Sequence, residues 1–483
     1  MTIAADAIAR DTAAMQNLLK RQRDAFHAEL PVGAAIRKDR LTRALKLVLE
    51  YKDRFVASLS DDFGHRSSEM SLVTDVLASV KPLKHALKHV DQWMAPEKRK
   101  LDFPLGLLGA KAMVEWQPKG VVGIISPWNF PVNLTFAPLA NVLAAGNRAM
   151  IKPSEFTPAT SELMKAAIAQ YFDEAEVAVV TGGPELGMAF SELPFDHLIF
   201  TGATSIGRHV MAAAARNLVP LTLELGGKSP TILGRSADLA QATERVAMGK
   251  LMNAGQICLA PDYLLVPDEK EDEVVEGLKA ATARMYPTLL ANDDYTSVIS
   301  KRHRDRLEAH IEDARAKGAE IVEVNPGNED FSKQNTNKMP LTLIRNPTDE
   351  MTVMQEEIFG PVLPIKRYKT VDEAIGYINA KDRPLGLYWF GTDQAEERHV
   401  LDRTISGGVT VNDVLFHVSV EDLPFGGIGP AGMGNYHGFD GFKAFSHPKS
   451  IYRQPKLDLA GLAGFKPPYG EKTRKALARE LKA

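Results

Sequence analysis

Cysteine is nearly absent from this chain, since Cys258 is the only one among its 483 residues. A single thiol cannot close a disulfide within the chain, and it excludes cysteine-rich zinc and iron–sulfur sites. We therefore predict no metal centre. Cys258 is then either a thiolate nucleophile or a small buried hydrophobic residue, and the residue alone does not decide between the two.

Long apolar runs are also absent, because no segment approaches the roughly twenty apolar residues that a membrane helix needs. The first six residues, Met1 to Asp6, have neither the basic stretch nor the apolar stretch of a secretory signal. We expect a cytoplasmic protein that does not bind membranes. A free thiol agrees with a reducing compartment.

The chain also has no large excess of charge of either sign, since its formal net charge is −3. Such a chain has no electrostatic reason to bind nucleic acid or anionic membrane. Hydrophobic residues at 45% and charged residues at 25% are typical of a globular protein. The expected ligands are small molecules held in local pockets, in a chain long enough for two or three substructures.

The pattern along the chain changes near residue 119. Before it, amphipathic periodicity predicts helices over residues 37–63 and 72–93. After it, short apolar strands alternate with helices, which indicates parallel β-α-β units and an α/β fold. Predicted strands cover residues 120–125, 149–152, 177–181, 197–201, 229–233, 263–266, 342–344 and 362–368. Predicted helices cover residues 134–145, 161–170, 184–191, 206–216, 239–252 and 301–317, one begins at 269, and a charged helix ends the chain over 471–483.

One glycine-rich turn is suited to phosphate. Gly202 and Gly207 bracket a Gly-x-x-x-x-Gly turn between a predicted strand and a predicted helix, where backbone N–H groups and the helix dipole favour an anion. The spacing differs from the usual dinucleotide fingerprint. These glycines equally suit close packing of the helix against the strand.

Two further motifs follow predicted strands. Lys152-Pro153-Ser154-Glu155 stands where open parallel sheets bind ligands, so its charged groups could hold ribose hydroxyls, or form a solvated turn. In Ser126-Pro127-Trp128-Asn129-Phe130-Pro131 the prolines rigidify the segment. The Asn129 amide is therefore either a preorganised donor to an oxyanion or a cap for its own turn.

Taken together, the motifs resemble those of the aldehyde dehydrogenase superfamily, in the same order and at similar spacings. The C-terminal runs 423–429, 433–438 and 445–447 are most similar to the coniferyl aldehyde dehydrogenase and class 3, or fatty aldehyde, branch. The motifs that carry the family resemblance are Pro127-Trp128-Asn129-Phe130-Pro131, Lys152-Pro153-Ser154-Glu155, the turn from Gly202 to Gly207, Leu223-Glu224-Leu225-Gly226-Gly227-Lys228, Gly255-Gln256-Ile257-Cys258 and Glu356-Glu357-Ile358-Phe359-Gly360.

The resemblance implies the chemistry of an aldehyde dehydrogenase. Cys258 would attack the aldehyde, Asn129 would hold the oxyanion, and Glu224 would activate the water that hydrolyses a thioester. The implied cofactor is NAD, with NADP possible, because Glu155 can bind a ribose 2′-hydroxyl but repels a 2′-phosphate. The implied cofactor-binding residues are Ser126, Pro127, Trp128, Lys152, Ser154, Glu155, Gly183, Gly202, Thr204, Gly207, Leu225, Gly226, Glu357 and Phe359.

The resemblance also implies an architecture. We expect a Rossmann-like nucleotide-binding domain over residues 1–98 and 119–225, and a second α/β catalytic domain over 226–416. A small β oligomerisation arm would cover 99–118 and 417–455, with a tail over 456–483. The arm would join two subunits, and the long tail favours a homodimer over a tetramer.

The implied substrate is an aromatic or phenylpropenyl aldehyde such as coniferyl aldehyde, or else a medium- or long-chain aliphatic aldehyde. Apolar walls suit either, with Trp128, Phe130, Leu415, Phe416 and His417 as candidates. A cysteine hydrolase or acyltransferase would use the thiol and base without a nucleotide site. A non-catalytic scaffold would use neither, so the retained thiol and base argue against it.

Overall fold

The computed structural model describes residues 2–103 and 105–481. Met1, Pro104, Lys482 and Ala483 lie outside the described residues, so the predicted arm and the predicted tail helix are each described only in part. The strands are β1 (Glu97–Arg99), β2 (Lys111–Pro118), β3 (Val121–Ile125), β4 (Arg148–Lys152), β5 (Val177–Val179), β6 (His197–Gly202), β7 (Leu221–Leu225), β8 (Pro230–Leu233), β9 (Tyr263–Pro267), β10 (Glu320–Val324), β11 (Leu341–Arg345), β12 (Val362–Tyr368), β13 (Gly386–Phe390), β14 (Gly408–Val411), β15 (Gly432–Met433) and β16 (Ser446–Arg453).

The α-helices surround these strands. They are α1 (Thr2–Glu29), α2 (Ala34–Phe63), α3 (Ser68–Ser71), α4 (Ala78–Trp93), α5 (Asn133–Ala144), α6 (Pro158–Tyr171), α7 (Pro184–Ser191), α8 (Thr204–Ala215), α9 (Leu239–Leu251), α10 (Glu271–Met285), α11 (Lys301–Ala316), α12 (Thr352–Gln355), α13 (Val371–Asn379), α14 (Gln394–Arg403), α15 (Gly438–Ala444), α16 (Leu459–Ala463) and α17 (Glu471–Glu480). A π-helical stretch, Leu72–Leu77, precedes α4. Short 3₁₀ turns are Met252–Gly255, Asp268–Lys270, Phe331–Lys333 and Phe416–Ser419.

The first sheet has the strand order β15-β7-β6-β3-β4-β5. Strands β3 to β7 are parallel, and only β15 is antiparallel, pairing with β7. β4 is buried along its whole length, as expected for a parallel strand covered on both faces. Because the strands are parallel, the carboxyl ends of β7, β6, β3 and β4 share one edge of this sheet.

The second sheet has the order β10-β11-β12-β9-β8-β13-β14, with β10 antiparallel and the other strands parallel. The chain passes from the first sheet to the second between Leu225 and Pro230. The predicted α/β class is therefore confirmed. Sequence periodicity missed β10, β13 and β14 in this sheet and β7 and β15 in the first. It also extended the strand at Val177–Val179 by two residues.

The third sheet is small and antiparallel, in the order β1-β2-β16. In the arm sequence 101–117, extended structure begins only at Lys111, because turns occupy most of residues 103–109 that the structure describes. β2 pairs within the chain on both sides. No other strand in the described residues pairs with the outer edge of β16, so that edge is open to another chain.

The predicted helices over 37–63 and 72–93 are confirmed, with a correction to the second. Its first turn and a half is π-helical rather than α-helical. A π-turn widens the helix locally and is frequent at functional sites. Asp75 lies in this turn and is fully buried.

Candidate active site

Cys258 follows a backbone loop in an unusual conformation. Asn253, Ala254 and Gly255 have φ values of 49°, 51° and 74°, so three consecutive residues are left-handed. A Cβ atom on Gly255 would lie 2.4 Å from the Gly360 carbonyl oxygen. Only glycine suits that position, both sterically and in backbone conformation.

Gln256 holds this loop from inside. Its amide nitrogen donates to the carbonyl oxygens of Asn253 at 2.9 Å and Ser297 at 3.0 Å. Its side-chain oxygen accepts from the Ile299 backbone N–H at 2.9 Å. Because the side chain is fully buried, these bonds fix the chain two residues before the thiol.

Asn129 is joined to the cysteine loop. Its Nδ2 donates to the Gln256 carbonyl at 3.1 Å, and the side chain is 3% exposed. An amide carries two N–H groups, so this bond leaves one donor for a further acceptor. The carbonyl oxygen of Asn129 accepts from Arg66 at 3.0 Å and from Asn253 Nδ2 at 3.2 Å.

A buried ion pair stands behind Asn129. Arg66 and Asp75 lie 2.6 Å apart, and neither side chain is exposed. Asp75 Oδ1 also accepts from the backbone N–H groups of Val132 at 3.0 Å and Asn133 at 3.2 Å. The pair therefore holds the chain at Asn129 and directly after the rigid 126–131 segment, a role that no local sequence signal indicated.

Glu224, near the end of β7, is a buried carboxyl without partners. Neither of its oxygens has a hydrogen-bond partner among the described residues. Burial raises the pKa of Glu224 well above its ordinary value. Burial also raises the pKa of the Cys258 thiol, and the charges of Glu357 and Glu224 add to that shift, which brings all three groups into one site.

Glu357 lies in the loop between α12 and β12, and its side chain meets Gly226, the residue after β7. A Cβ atom on Gly226 would lie 2.1 Å from Glu357 Oε2, so a side chain there would displace the carboxylate. Glu357 Oε1 has no hydrogen-bond partner in the part of the chain that the structure describes. Burial raises the pKa of Glu357 to about 8, although a hydrogen bond from the Gly227 backbone opposes the shift.

The Glu357 segment is anchored by residues that the motifs did not indicate. Arg306 on α11 donates to the carbonyl oxygens of Glu357 at 3.1 Å and Ile358 at 2.6 Å. Asp262 accepts from the Ile358 backbone N–H at 2.9 Å. These bonds lead into Phe359, which is left-handed with a φ of 52°.

Trp128 packs on Phe359, with ring centroids 5.3 Å apart. Trp128 also contacts Phe63 and His303, with centroids 6.2 and 5.1 Å away. Phe130 is buried and lies under the Arg66 guanidinium. Two of the five predicted wall residues, Trp128 and Phe130, thus pack on the structure that holds the site.

The carboxyl ends of β3 and β4 bring two predicted motifs together. The Ser126 backbone N–H donates to the Lys152 carbonyl at 3.1 Å, and the Ser126 hydroxyl accepts from Thr135 at 2.7 Å. Lys152 is buried, donates to the Pro153 carbonyl at 2.8 Å and lies 3.7 Å from Glu155. Burial lowers the pKa of Lys152, and Glu155 opposes that shift.

The glycine-rich turn lies at the same edge, at the end of β6. Gly202 ends the strand, and Thr204 begins α8, with its hydroxyl donating to the Pro430 carbonyl at 3.1 Å. A Cβ atom on Gly207 would lie 2.7 Å from the Leu225 side chain. The helix N-terminus therefore presents backbone N–H groups, while the Thr204 hydroxyl is already bonded.

Three predicted cofactor residues lie in loops at the strand ends. Pro127 is in the loop after β3, and Ser154 is in the turn after β4, where its hydroxyl accepts from the Phe156 backbone N–H at 3.2 Å. Gly183 precedes the first residue of α7. The described residues include no group of three His, Cys, Asp or Glu side chains that could hold a metal ion.

The groups of this site that have no bonding partner among the described residues are the kind that a dinucleotide cleft provides. Glu357 offers an unpaired carboxylate oxygen, Gly226 leaves it room, and α8 offers an unblocked helix terminus within the described chain. Those are the groups that ribose hydroxyls and a pyrophosphate need. No helix among the described residues is long and apolar enough to span a bilayer.

The sequence model of the aldehyde dehydrogenase family matches residues 2–451. A probable coniferyl aldehyde dehydrogenase of Caulobacter vibrioides is 61% identical, over 97% of this chain and 97% of its own length. A coniferyl aldehyde dehydrogenase of a Pseudomonas species is 52% identical, over 94% of this chain and 93% of its own.

Solved structures agree in fold. The substrate-bound AldH of Staphylococcus aureus has a TM-score of 0.89 at 34% identity, covering 96% of this chain and 99% of that one. An aldehyde dehydrogenase of Mycobacterium tuberculosis, solved with NAD⁺, has a TM-score of 0.81 at 29% identity, covering 91% and 90%. The chain therefore belongs to the aldehyde dehydrogenase family, whose members oxidise aldehydes to carboxylic acids.

Proposed function

We propose that this enzyme oxidises coniferyl aldehyde or a close phenylpropenyl aldehyde, with Cys258 as the nucleophile and NAD⁺ as the preferred cofactor. The observation that carries the substrate is the 61% identity, over nearly the whole chain, to a probable coniferyl aldehyde dehydrogenase. The direct experiment compares kcat/KM for coniferyl aldehyde, a medium-chain alkanal and acetaldehyde. A kcat/KM for acetaldehyde above that for coniferyl aldehyde would overturn the proposal. A kcat/KM for the alkanal above that for coniferyl aldehyde would favour the aliphatic alternative.

The first half of the proposed reaction takes place on sulfur. Cys258 is half-buried, and its thiolate form adds to the aldehyde carbon. The carbonyl oxygen becomes an oxyanion, held by the free N–H of the Asn129 amide and by the Cys258 backbone N–H. Removing one such donor costs about 3–4 kcal/mol of transition-state stabilisation in comparable sites.

The second half releases the acid. A bound NAD⁺ would supply the hydride acceptor for oxidation of the thiohemiacetal carbon. The thioester on Cys258 is then attacked by water, and Glu224 takes a proton of that water through an oxygen that has no hydrogen-bond partner among the described residues. Collapse of the tetrahedral adduct breaks the C–S bond, frees the carboxylic acid and regenerates the Cys258 thiolate, and Glu224 passes its proton to solvent.

The proposed cofactor site uses one edge of the first sheet. The α8 terminus between Gly202 and Gly207 would take the pyrophosphate, and Lys152 would take the adenosine ribose. Glu357 would hold the nicotinamide ribose, with Phe359 beside it. The remaining predicted residues, Ser126, Pro127, Trp128, Ser154, Gly183, Thr204, Leu225 and Gly226, would form the walls between these groups.

The NAD⁺ preference rests on Glu155. Its carboxylate can accept a hydrogen bond from a 2′-hydroxyl and repels a 2′-phosphate, while Lys152, 3.7 Å away, reduces the repulsion. Glu155→Gln should raise the ratio of kcat/KM for NADP⁺ to that for NAD⁺. Glu162→Gln, an exposed change on α6, should leave it unchanged. A parent enzyme with higher kcat/KM for NADP⁺ would refute the preference.

We further propose a homodimer with residues 1–98 and 119–225 as the cofactor domain, 226–416 as the catalytic domain and 99–118 with 417–455 as the arm. The open edge of β16 and the exposed side chains of Phe103 and Leu107 support pairing between subunits. Light scattering should give the mass of two chains, and a mass near four would refute the dimer. A cytoplasmic location follows from the need to keep Cys258 reduced, and cell fractionation tests it.

A further inference from the structure

Three buried polar atoms without partners lie on the chain between β14 and α15. They are His417 Nε2, Glu421 Oε2 and His437 Nδ1, none of which has a hydrogen-bond partner in the described part of the chain. His437 is only 6% exposed. A buried polar atom without a partner costs free energy, so such a group indicates a ligand that completes its bonding.

The two histidines, His417 and His437, both lie against one aromatic ring. Phe425 stacks on His437 with centroids 5.3 Å apart, and it lies 6.3 Å from His417. The charge of His417 acts on His437, which places the two imidazoles close together. A Cβ atom on Gly438 would lie 2.3 Å from the backbone carbonyl oxygen of Glu421, so the main chain at Glu421 lies beside the residue that follows His437.

This cluster of His417, Glu421 and His437, the loop cluster, adjoins the reaction centre. The Tyr388 hydroxyl donates to the carbonyl oxygen of Leu259, next to the nucleophile, at 2.6 Å, and its ring lies 6.3 Å from His417. The Tyr436 ring lies 4.9 Å from His437. Tyr436 is also within electrostatic reach of Glu224, Cys258 and Glu421.

The chemistry of the loop cluster fits a ring that carries oxygen substituents. Burial raises the pKa of Glu421 to about 7, and in its ionised form this carboxyl accepts a hydrogen bond from a phenolic hydroxyl. A neutral imidazole can donate to an ether or phenolic oxygen. Burial lowers the pKa values of His417 and His437 to about 4, so both rings are neutral near pH 7. His417 Nδ1 is bonded to Thr410 at 2.8 Å, which orients the ring and leaves Nε2 for the ligand.

The chain of an aliphatic aldehyde has no oxygen that could bond to the loop cluster, so it would leave all three polar atoms unpaired. Apolar walls alone, as expected from the sequence, would accept phenylpropenyl and aliphatic aldehydes alike. A site built to hydrogen-bond a substrate hydroxyl discriminates strongly against analogues that lack it, because its buried polar groups then stay unpaired.

We propose that the loop cluster recognises the ring oxygens of a 4-hydroxy-3-methoxyphenylpropenal and makes His417, Glu421 and His437 the residues that determine specificity. The inference rests on the proposed function, since it presumes a phenylpropenyl substrate with its aldehyde carbon at Cys258. It adds that ring oxygens, rather than chain length or aromaticity, determine which aldehyde is selected.

The first test changes the ligand and leaves the protein intact. Coniferyl aldehyde is compared with cinnamaldehyde, which has the same chain and ring without the oxygens. We expect kcat/KM for coniferyl aldehyde to be higher by about 100-fold. Equal values would overturn the inference while leaving oxidation of phenylpropenyl aldehydes in place, whereas failure to oxidise either would overturn the proposed function as well.

The second test changes the protein. Glu421→Gln should reduce the coniferyl-to-cinnamaldehyde ratio of kcat/KM by about tenfold or more, because a donor replaces part of the acceptor. Glu162→Gln is the matched control, since it makes the same change at an exposed position on α6, and it should keep the parent ratio. A parent-like ratio in Glu421→Gln would overturn the role of Glu421.

The third test measures binding without turnover. In a Cys258→Ala background, we expect 4-hydroxy-3-methoxycinnamate to bind more tightly than cinnamate by calorimetry. Adding His437→Ala should remove most of that difference. An unchanged difference, with thermal melting showing a folded protein, would refute recognition by the loop cluster. If the double variant does not fold, a lack of preference between the two acids in Cys258→Ala alone gives the same refutation.

Discussion

The buried ion pair behind Asn129 gives a prediction with a magnitude. Asp75→Asn keeps the size of the side chain and an oxygen that can still accept from the Val132 and Asn133 N–H groups. It removes the charge that faces Arg66 at 2.6 Å in a site with no exposure of either side chain. The variant therefore leaves a guanidinium buried without its counter-charge.

The expected cost follows from that burial. Breaking a buried pair by removing one partner lowers the free energy of unfolding by about 3–5 kcal/mol. Arg66 also donates to the Asn129 carbonyl, so its displacement should move the amide that holds the oxyanion. Complete loss of an oxyanion donor lowers kcat by about 10²–10³, and partial displacement should lower it by about tenfold or more.

Denaturant titration and steady-state kinetics measure the two effects. Asp305→Asn is the control, because its pair with Lys301 at 2.8 Å is exposed and should contribute at most about 1 kcal/mol. Adding Arg66→Met to Asp75→Asn removes the unpaired charge, so stability should partly recover while kcat stays low. If Asp75→Asn showed the same unfolding free energy and the same kcat as the Asp305→Asn control, the reasoning would be refuted.

Three further predictions follow from the site and its supports. Burial raises the pKa of Glu357 to about 8, so if its ionised form binds ribose hydroxyls, the NAD⁺ affinity measured by calorimetry should rise as the pH rises toward 8. Glu357→Gln should abolish that rise. A parent-like pH profile of NAD⁺ affinity in this variant would contradict the assignment. Gly255→Ala should lower activity by more than tenfold, since the added Cβ would clash with backbone 2.4 Å away; parent-like kcat would refute the steric argument. Burial opposes ionisation of Glu176, but hydrogen bonds from Arg43 and Arg40 lower its pKa to about 2. Its stabilisation is therefore present above pH 4.5 and lost as pH falls toward 2, and Glu176→Gln should flatten that part of the curve of unfolding midpoint against pH.

The sequence was enough to predict the fold class and the motifs, because those depend on short-range patterns. Apolar strands ending at Pro127 and Pro153 sit in a parallel sheet, and such sheets place ligand groups at their carboxyl ends. The resemblance to the family also predicted that Cys258 and Glu224 act in the same active site. Their electrostatic coupling in the structure agrees with that grouping.

What the sequence could not predict depends on contacts between distant segments. Arg66 reaches Asn129 from 63 positions away, and Arg306 reaches Glu357 from 51, without a spacing signal in either case. Strand β13 is short and follows a loop, so periodicity did not distinguish it from its surroundings. The loop cluster was invisible because an unpaired atom on His437 can be recognised only once its surroundings are known.

Rapid mixing of Glu224→Gln with NAD⁺ and coniferyl aldehyde tests the central claim most directly. Hydride leaves before water attacks, so this variant should give a burst of reduced cofactor close to one per site, followed by a slow steady state. Mass spectrometry of the quenched protein should find the acyl group on Cys258. A variant that gives no burst and no acyl-enzyme, while still binding NAD⁺, would contradict the separate roles of Cys258 and Glu224.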